Sequence, residues 1–242
     1  MRIAFSGTAN TGKTTMINIF SDIWKNYKTP AYTYRDLIKE KNLSHSSGTT
    51  ADTQSEILNF MVDQLTEYTS EPKIIYDRCP MDNLAYTLWC YEKQVEGFDK
   101  PYVDLAISKV KESMRHLDII FLFKYDETIL VENDGLRDTN IEYIKEIDNI
   151  FEAIYQQYSQ NLHADIFFPK DDSPCVIKLP TSINDRIQTM RDYLNTDGDL
   201  YGEDESIFNP NNLSELEKLV KQQQNALAIE AREKELYSKF RI

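Results

Sequence analysis

Gly7-Thr8-Ala9-Asn10-Thr11-Gly12-Lys13-Thr14 separates two glycines by four residues and follows the second with a lysine and a hydroxyl. That spacing suits a polyphosphate. Glycines let the backbone turn its N–H groups inward around an anion, and a helix starting at Lys13 adds partial positive charge at the same point. Lys13 is then placed to reach the β- and γ-phosphates of a nucleoside triphosphate, and the Thr14 hydroxyl to ligate Mg²⁺. With Thr15, residues 7–15 form the expected cradle for ATP. The plainer alternative is a Gly-rich turn before an ordinary helix. The flanks argue against it: residues 2–5 form a short apolar run, and Met16, Ile17, Phe20, Ile23 and Trp24 mark an amphipathic helix beyond. A lysine in such a loop is expected to be largely solvated without ligand, so its removal should leave folding intact.

A second group is Lys73-Ile74-Ile75-Tyr76-Asp77-Arg78, an apolar strand ending in a carboxylate and a guanidinium. In open α/β sheets, ligands collect at the carboxyl ends of the strands. Asp77 there can hold Mg²⁺ through water or accept a hydroxyl proton, and Arg78 can bridge phosphates bidentately. An isolated surface pair is the competing reading. On the acceptor side, Tyr34-Arg35-Asp36 offers Asp36 as general base for a sugar hydroxyl and Arg35 as holder of an acceptor phosphate. The same residues equally suit a simple helix start, and both readings stand. The polar stretch 44–50 and Gln54 either line an acceptor pocket or form only a loop. Residues 124–140 read as a 17-residue irregular segment, a length that is often functional. Asp134-Gly135 favours a turn, with Arg137 at its edge. His45, His116 and His163 have no metal-ligand spacing.

The stretch Asp77-Arg78-Cys79-Pro80-Met81-Asp82-Asn83-Leu84-Ala85-Tyr86 resembles the D-R-Y-x-x-S-x-x-A-Y segment of thymidylate kinases, with Cys79 for Tyr and Asp82 for Ser. It is closer still to the D-R-x-x-x-D-x-x-A-Y pattern of a P-loop kinase group that includes the ribosylnicotinamide kinase domain of NAD-biosynthesis regulators. Asp134-Gly135-Leu136-Arg137 resembles the D-D-G-x-R segment of that group, with Asn133 in place of its first acid. The resemblance spans roughly residues 1–195. It implies a phosphotransferase using ATP and Mg²⁺ on a nucleoside or nucleoside monophosphate, with 124–140 as a lid whose Arg137 approaches the donor phosphates on closure. Lys13, Asp77, Arg78, Arg137 and Asp36 are the implied catalytic set, and Thr14 and Asp77 the metal ligands. One scaffold serves many acceptors, so the motifs leave the substrate open.

These residues need a frame. Short apolar runs at 2–5, 31–34, 73–76, 118–123 and 175–179 alternate with helical stretches at 13–25, 53–68, 81–93, 102–115, 141–161 and 182–195. Such alternation predicts a three-layer α/β P-loop fold with a parallel sheet of about five strands. Ile183, Ile187, Met190 and Leu194 give the last helix an apolar stripe. Domain limits follow as 1–195 for the kinase unit, 196–212 for an acidic linker and 213–242 for a C-terminal helix. The apolar face of that helix (Leu213, Leu216, Val220, Leu227) is a candidate for homo-oligomer contact.

Composition bounds the rest. The net charge of −13 over 242 residues repels phosphate backbones and argues against a nucleic-acid partner, though not against a small anion in a local positive pocket. It weighs against an alternative kinase acting on a hydroxyl of a modified base in DNA. A P-loop ATPase with a mechanical or regulatory role is a further alternative, for which no separate arginine-bearing domain is evident. The longest apolar run, residues 119–123, is far short of the ~20 residues a spanning helix needs. The apolar stretch behind Met1-Arg2 is too short for a signal-peptide core. Three cysteines, odd in number, fit a reducing cytoplasm.

Overall fold

The computed structural model describes residues 1–44, 46–128, 140–160 and 164–201. Four strands, β1 (Arg2–Ser6), β2 (Ile74–Asp77), β3 (Ile119–Phe123) and β4 (Cys175–Leu179), form one all-parallel sheet in the order β2-β1-β3-β4. The strands are nearly continuous apolar runs because both faces of a parallel sheet are covered. Helices α1 (Lys13–Ile23), α2 (Tyr34–Lys41), α3 (Ala51–Glu67), α4 (Pro80–Glu92), α5 (Lys100–Ser113), α6 (Ile141–Ser159) and α7 (Ile183–Tyr193) complete three layers. One face of the sheet packs Ala4, Tyr76, Ile120 and Val176 against α4, α5 and α6. Elsewhere Phe5 meets Phe20, Phe121 and Phe123 with ring centroids 5.0–5.7 Å apart.

The expected fifth strand at 31–34 is absent. Its place beside β2 is taken by a single bridge, Lys28 to Ile74, in which Lys28 N–H donates to the Lys73 carbonyl at 3.2 Å. The chain then turns into α2, because Thr33 and Asp36 close a capping box at its start. Of the apolar stripe expected on α7, Met190 and Leu194 are buried and Ile187 is half-buried, but its first member is not. Ile183 is exposed and the buried residues of the helix are Arg186 and Met190.

The chain divides into two compact units, Met1–Asp192 and one beginning at Tyr193. Residues 193–201 of the second form a tight turn in which the Asn195 side-chain oxygen accepts the N–H groups of Asp197 and Asp199. Of the lid predicted at 124–140, residues 129–139, with Asp134 and Arg137, lie outside the described residues. So do the rest of the predicted linker and the C-terminal helix with its candidate oligomer face. No helix among the described residues is long and apolar enough to cross a membrane.

Gly7 links β1 to the loop at φ +137°, and a Cβ there would lie 2.5 Å from the Phe123 carbonyl oxygen. Both the backbone region and the backbone obstacle exclude a side chain. Gly7→Ala is therefore expected to lower folding stability by at least ~2 kcal/mol, readable as a shift in denaturation midpoint. A loss under half that would show that β3 yields at Phe123.

Candidate active site

The loop between β1 and α1 lies at the carboxyl end of the sheet, with Gly12 at φ +80° as the N-cap of α1. Lys13 is not solvated. It is 5% exposed, and its ammonium donates to the carbonyls of Gly7 (2.8 Å) and Thr8 and to Thr11 Oγ1 (3.1 Å). Burial, joined by the Arg78 charge, holds its pKa well below the usual lysine value, while Asp82 and Asp77 act in the other direction. Thr8 Oγ1 donates to the Ile144 carbonyl of α6 at 3.2 Å, tying the loop to the next layer. Ala9, Asn10, Thr11, Gly12, Lys13, Thr14 and Thr15 all line one cavity.

Just past β2, Arg78 lines that cavity; Asp77, the last residue of β2, is not among its lining residues but stands beside Thr14, which is. Thr14 Oγ1 donates to Asp77 Oδ2 at 3.3 Å, and Arg35 Nη2 stands 3.9 Å from the same oxygen. Asp77 Oδ1 is buried with no hydrogen-bond partner among the described residues. A hydroxyl beside a carboxylate with one unspent oxygen is a hard oxygen donor set, and these residues fit Mg²⁺.

Arg78 is held from every side. It has φ +81°, a left-handed conformation that a side chain rarely adopts, and its N–H donates to the Phe5 carbonyl at 3.0 Å. Its Nη1 donates to the Gly7 carbonyl (3.1 Å) and Asp82 Oδ1 (2.8 Å), and its Nε to Tyr34 Oη (2.9 Å). The guanidinium lies over the rings of Tyr34 and Tyr86, 5.4 Å from each centroid. Asp82 is the hub beneath it. Its two oxygens also accept from Ser6 Oγ (2.7 Å), Gly7 N–H (3.1 Å) and Cys79 N–H (3.0 Å), so one carboxylate joins β1, the loop and α4.

Beyond Arg78 the cavity becomes an apolar slot walled by Tyr34, Tyr86, Ile38, Ile57 and Met61. Gln54 and Asn83, both buried, supply polar groups to it. Asn83 Nδ2 donates to the Gln54 backbone carbonyl (2.9 Å) and to Gln54 Oε1 (2.6 Å). A backbone carbonyl only accepts, so the amide can face it one way round. That leaves Asn83 Oδ1 as a buried acceptor without a partner among the described residues.

Asp36 is not brought to this cavity. Its Oδ2 accepts from Thr33 N–H (2.8 Å) and Oγ1 (2.7 Å) to cap α2, and those bonds lower its pKa. A carboxylate so occupied is a poor general base, so the helix-start reading holds for Asp36, while its neighbours Tyr34 and Arg35 do line the cavity. Sequence reasoning missed Asn83, Tyr34 and Asp82 as site-forming groups, although Asp82 and Tyr86 stood within the D-R-x-x-x-D-x-x-A-Y pattern. It also missed Arg186, whose position one residue before Ile187 on a helix face otherwise read as apolar was the available signal.

The loop, the strand-end carboxylate and the parallel sheet together define a P-loop nucleotide-binding protein. Residues 2–166 match the AAA domain family, and the chain belongs to that family. Among solved structures, a deoxyadenosine kinase from M. mycoides with dCMP and a flexible dCDP bound is similar over 78% of this chain and 96% of that one, at 18% identity and a TM-score of 0.54. The same kinase with bound dATP aligns over the same shares at 17% identity and a TM-score of 0.50. The NadR protein in complex with NR aligns over 81% of this chain and 48% of that chain, at 15% identity and a TM-score of 0.53. At such identities these likenesses show a shared fold. No curated protein matches in sequence.

Proposed function

We propose that the protein is a Mg²⁺·ATP-dependent kinase that transfers the terminal phosphoryl group of ATP to a nucleoside or nucleoside monophosphate. One observation carries this reading: the phosphate-binding loop and the amide-bearing apolar slot open into a single cavity. A triphosphate in the loop and an acceptor with its base in the slot would meet across Asp77 and Arg78. A solved structure of similar fold holds dATP and another holds products named dCMP and dCDP, which supports that pairing.

In this reading Lys13 stabilises charge on the transferring group, and Arg78 holds phosphate from a position fixed before substrate arrives. Thr14 and Asp77 would hold Mg²⁺, which when bound would supply positive charge against that of the phosphates. Asp77 is also the carboxylate available to a hydroxyl proton, since Asp36 is spent on its helix. Arg35 is placed for an acceptor phosphate, and Arg137 is the lid arginine that engages on closure. The three cysteines are free thiols, in keeping with a reducing cytoplasm.

The deciding experiment is transfer from terminally labelled ATP to a panel of nucleosides, ribosylnicotinamide and all nucleoside monophosphates. Labelled product from at least one is expected. Hydrolysis with no transfer to any acceptor would remove the kinase reading in favour of an ATPase role. Asn83→Leu, which deletes the unpaired acceptor, is expected to raise the acceptor KM about 10-fold while leaving the ATP KM within twofold. Equal rises in both would place Asn83 outside the acceptor subsite.

A further inference from the structure

Arg186 stands in the first turns of α7, on an element that none of the proposed transfer chemistry uses, yet it is only 2% exposed. Its Nη1 donates to the carbonyl of Thr11 in the phosphate-binding loop at 2.8 Å, and its Nε to the carbonyl of Pro180, at the end of β4, also at 2.8 Å. The guanidinium carbon lies 4.9 Å from the centroid of Phe123, the residue that ends β3. A Cβ on Gly12 would come within 3.3 Å of Nη1, so the guanidinium occupies the space behind that glycine.

Two features make the arrangement more than packing. Nη2 is buried with no hydrogen-bond partner among the described residues. No carboxylate among them comes within ion-pair distance, and Asp126 is the acid whose charge reaches it. A buried cation with a spare donor and no carboxylate paired to it among the described residues is costly.

We propose that Arg186 is the positioning residue of the phosphate-binding loop, a cation fixed behind it that aims the loop toward a polyphosphate. This deepens the nucleotide-binding reading above and rests on it. The physical link is the planar trans peptide between Thr11 and Gly12, whose C=O and N–H point in opposite directions. Holding the Thr11 oxygen behind the loop turns the Gly12 N–H to the front, where an anion would sit. The positive charge behind the loop adds to that of the α1 N-terminus, and bound phosphate supplies a counter-charge that no described carboxylate gives at ion-pair distance. Arg186 touches no reacting atom in this account. It acts through the loop on the donor nucleotide and leaves the acceptor slot alone.

The test measures ATP binding to the full chain by calorimetry, with melting temperature and steady-state KM values for each variant. Arg186→Met keeps the apolar stem and loses the fork. It is expected to weaken ATP binding at least 10-fold while the acceptor KM stays within twofold, a split that loss of stability alone would not produce. Arg186→Lys keeps the charge but has one nitrogen for two carbonyls, so its ATP affinity should fall between the two. ATP affinity within twofold of wild type in folded Arg186→Met overturns the proposal. If that variant does not fold, unchanged ATP affinity in Arg186→Lys does so. A wild-type chain that binds no ATP overturns the nucleotide reading as well, and is recognised without any variant.

Discussion

Lys13→Ala should cut phosphoryl transfer at least ~10²-fold, equivalent to ~3 kcal/mol of transition-state stabilisation. In the structure the ammonium is already inside the loop, bonded to the carbonyls of Gly7 and Thr8 and to Thr11 Oγ1. A triphosphate offers stronger, charged acceptors in their place, and the contact tightens as charge builds on the transferring group. An interaction realised in the transition state lowers kcat and kcat/KM together, which single-turnover and steady-state kinetics separate from a simple loss of affinity. The buried position adds a second effect that sequence reasoning excluded. Gly7 O keeps its bond from Arg78 and Thr8 O its bond from Thr11 Oγ1, but the three bonds of the ammonium are lost, so the variant should also be less stable by about 1 kcal/mol. Full transfer activity in a folded Lys13→Ala protein would end the kinase assignment.

Asp82→Ala should lower folding stability by about 3–5 kcal/mol, the largest loss expected of any single substitution at this site. The carboxylate is 1% exposed and accepts four hydrogen bonds from three parts of the chain. Its removal leaves the Arg78 guanidinium buried beside Lys13 without the carboxylate that pairs with it at 2.8 Å. It also takes the carboxylate acceptor from the Gly7 N–H and Cys79 N–H. Chemical denaturation of the purified variant measures the loss directly. A change below 1 kcal/mol would mean that Tyr34, Tyr86 and the Gly7 carbonyl suffice to hold Arg78.

The two predictions rest on residues of different legibility. Lys13 and Thr14 were readable because a polyphosphate cradle imposes both residue type and spacing within one short segment. Asp77 and Arg78 were readable because an apolar run that stops at charge marks a strand end. The fifth strand was misread at 31–34, where Ala31 and the tyrosines suggested an extended run. The Thr33 and Asp36 capping box decided otherwise, and the same box took Asp36 out of the chemistry. Asp82 reaches Ser6 across 76 residues, Arg186 reaches the Thr11 carbonyl across 175, and Asn83 bonds the Gln54 carbonyl of another helix, and no local pattern encodes such partners. The start of the α7 stripe departed from expectation for a related reason, while Met190 and Leu194 are buried as read. A guanidinium that finds two carbonyls and a ring can be buried, while Ile183 at the helix edge can be left in water.

The ammonium of Lys13, folded into its own loop, makes the cradle a self-occupied one. Any incoming anion is a competitor that must displace three internal oxygens, rather than a guest entering free space. A single phosphate or sulfate replaces few of those contacts, while a triphosphate replaces them and adds bonds along the rest of the loop. On the proposed reading, the loop would therefore discriminate by chain length before any base is read, favouring the nucleotide over inorganic phosphate.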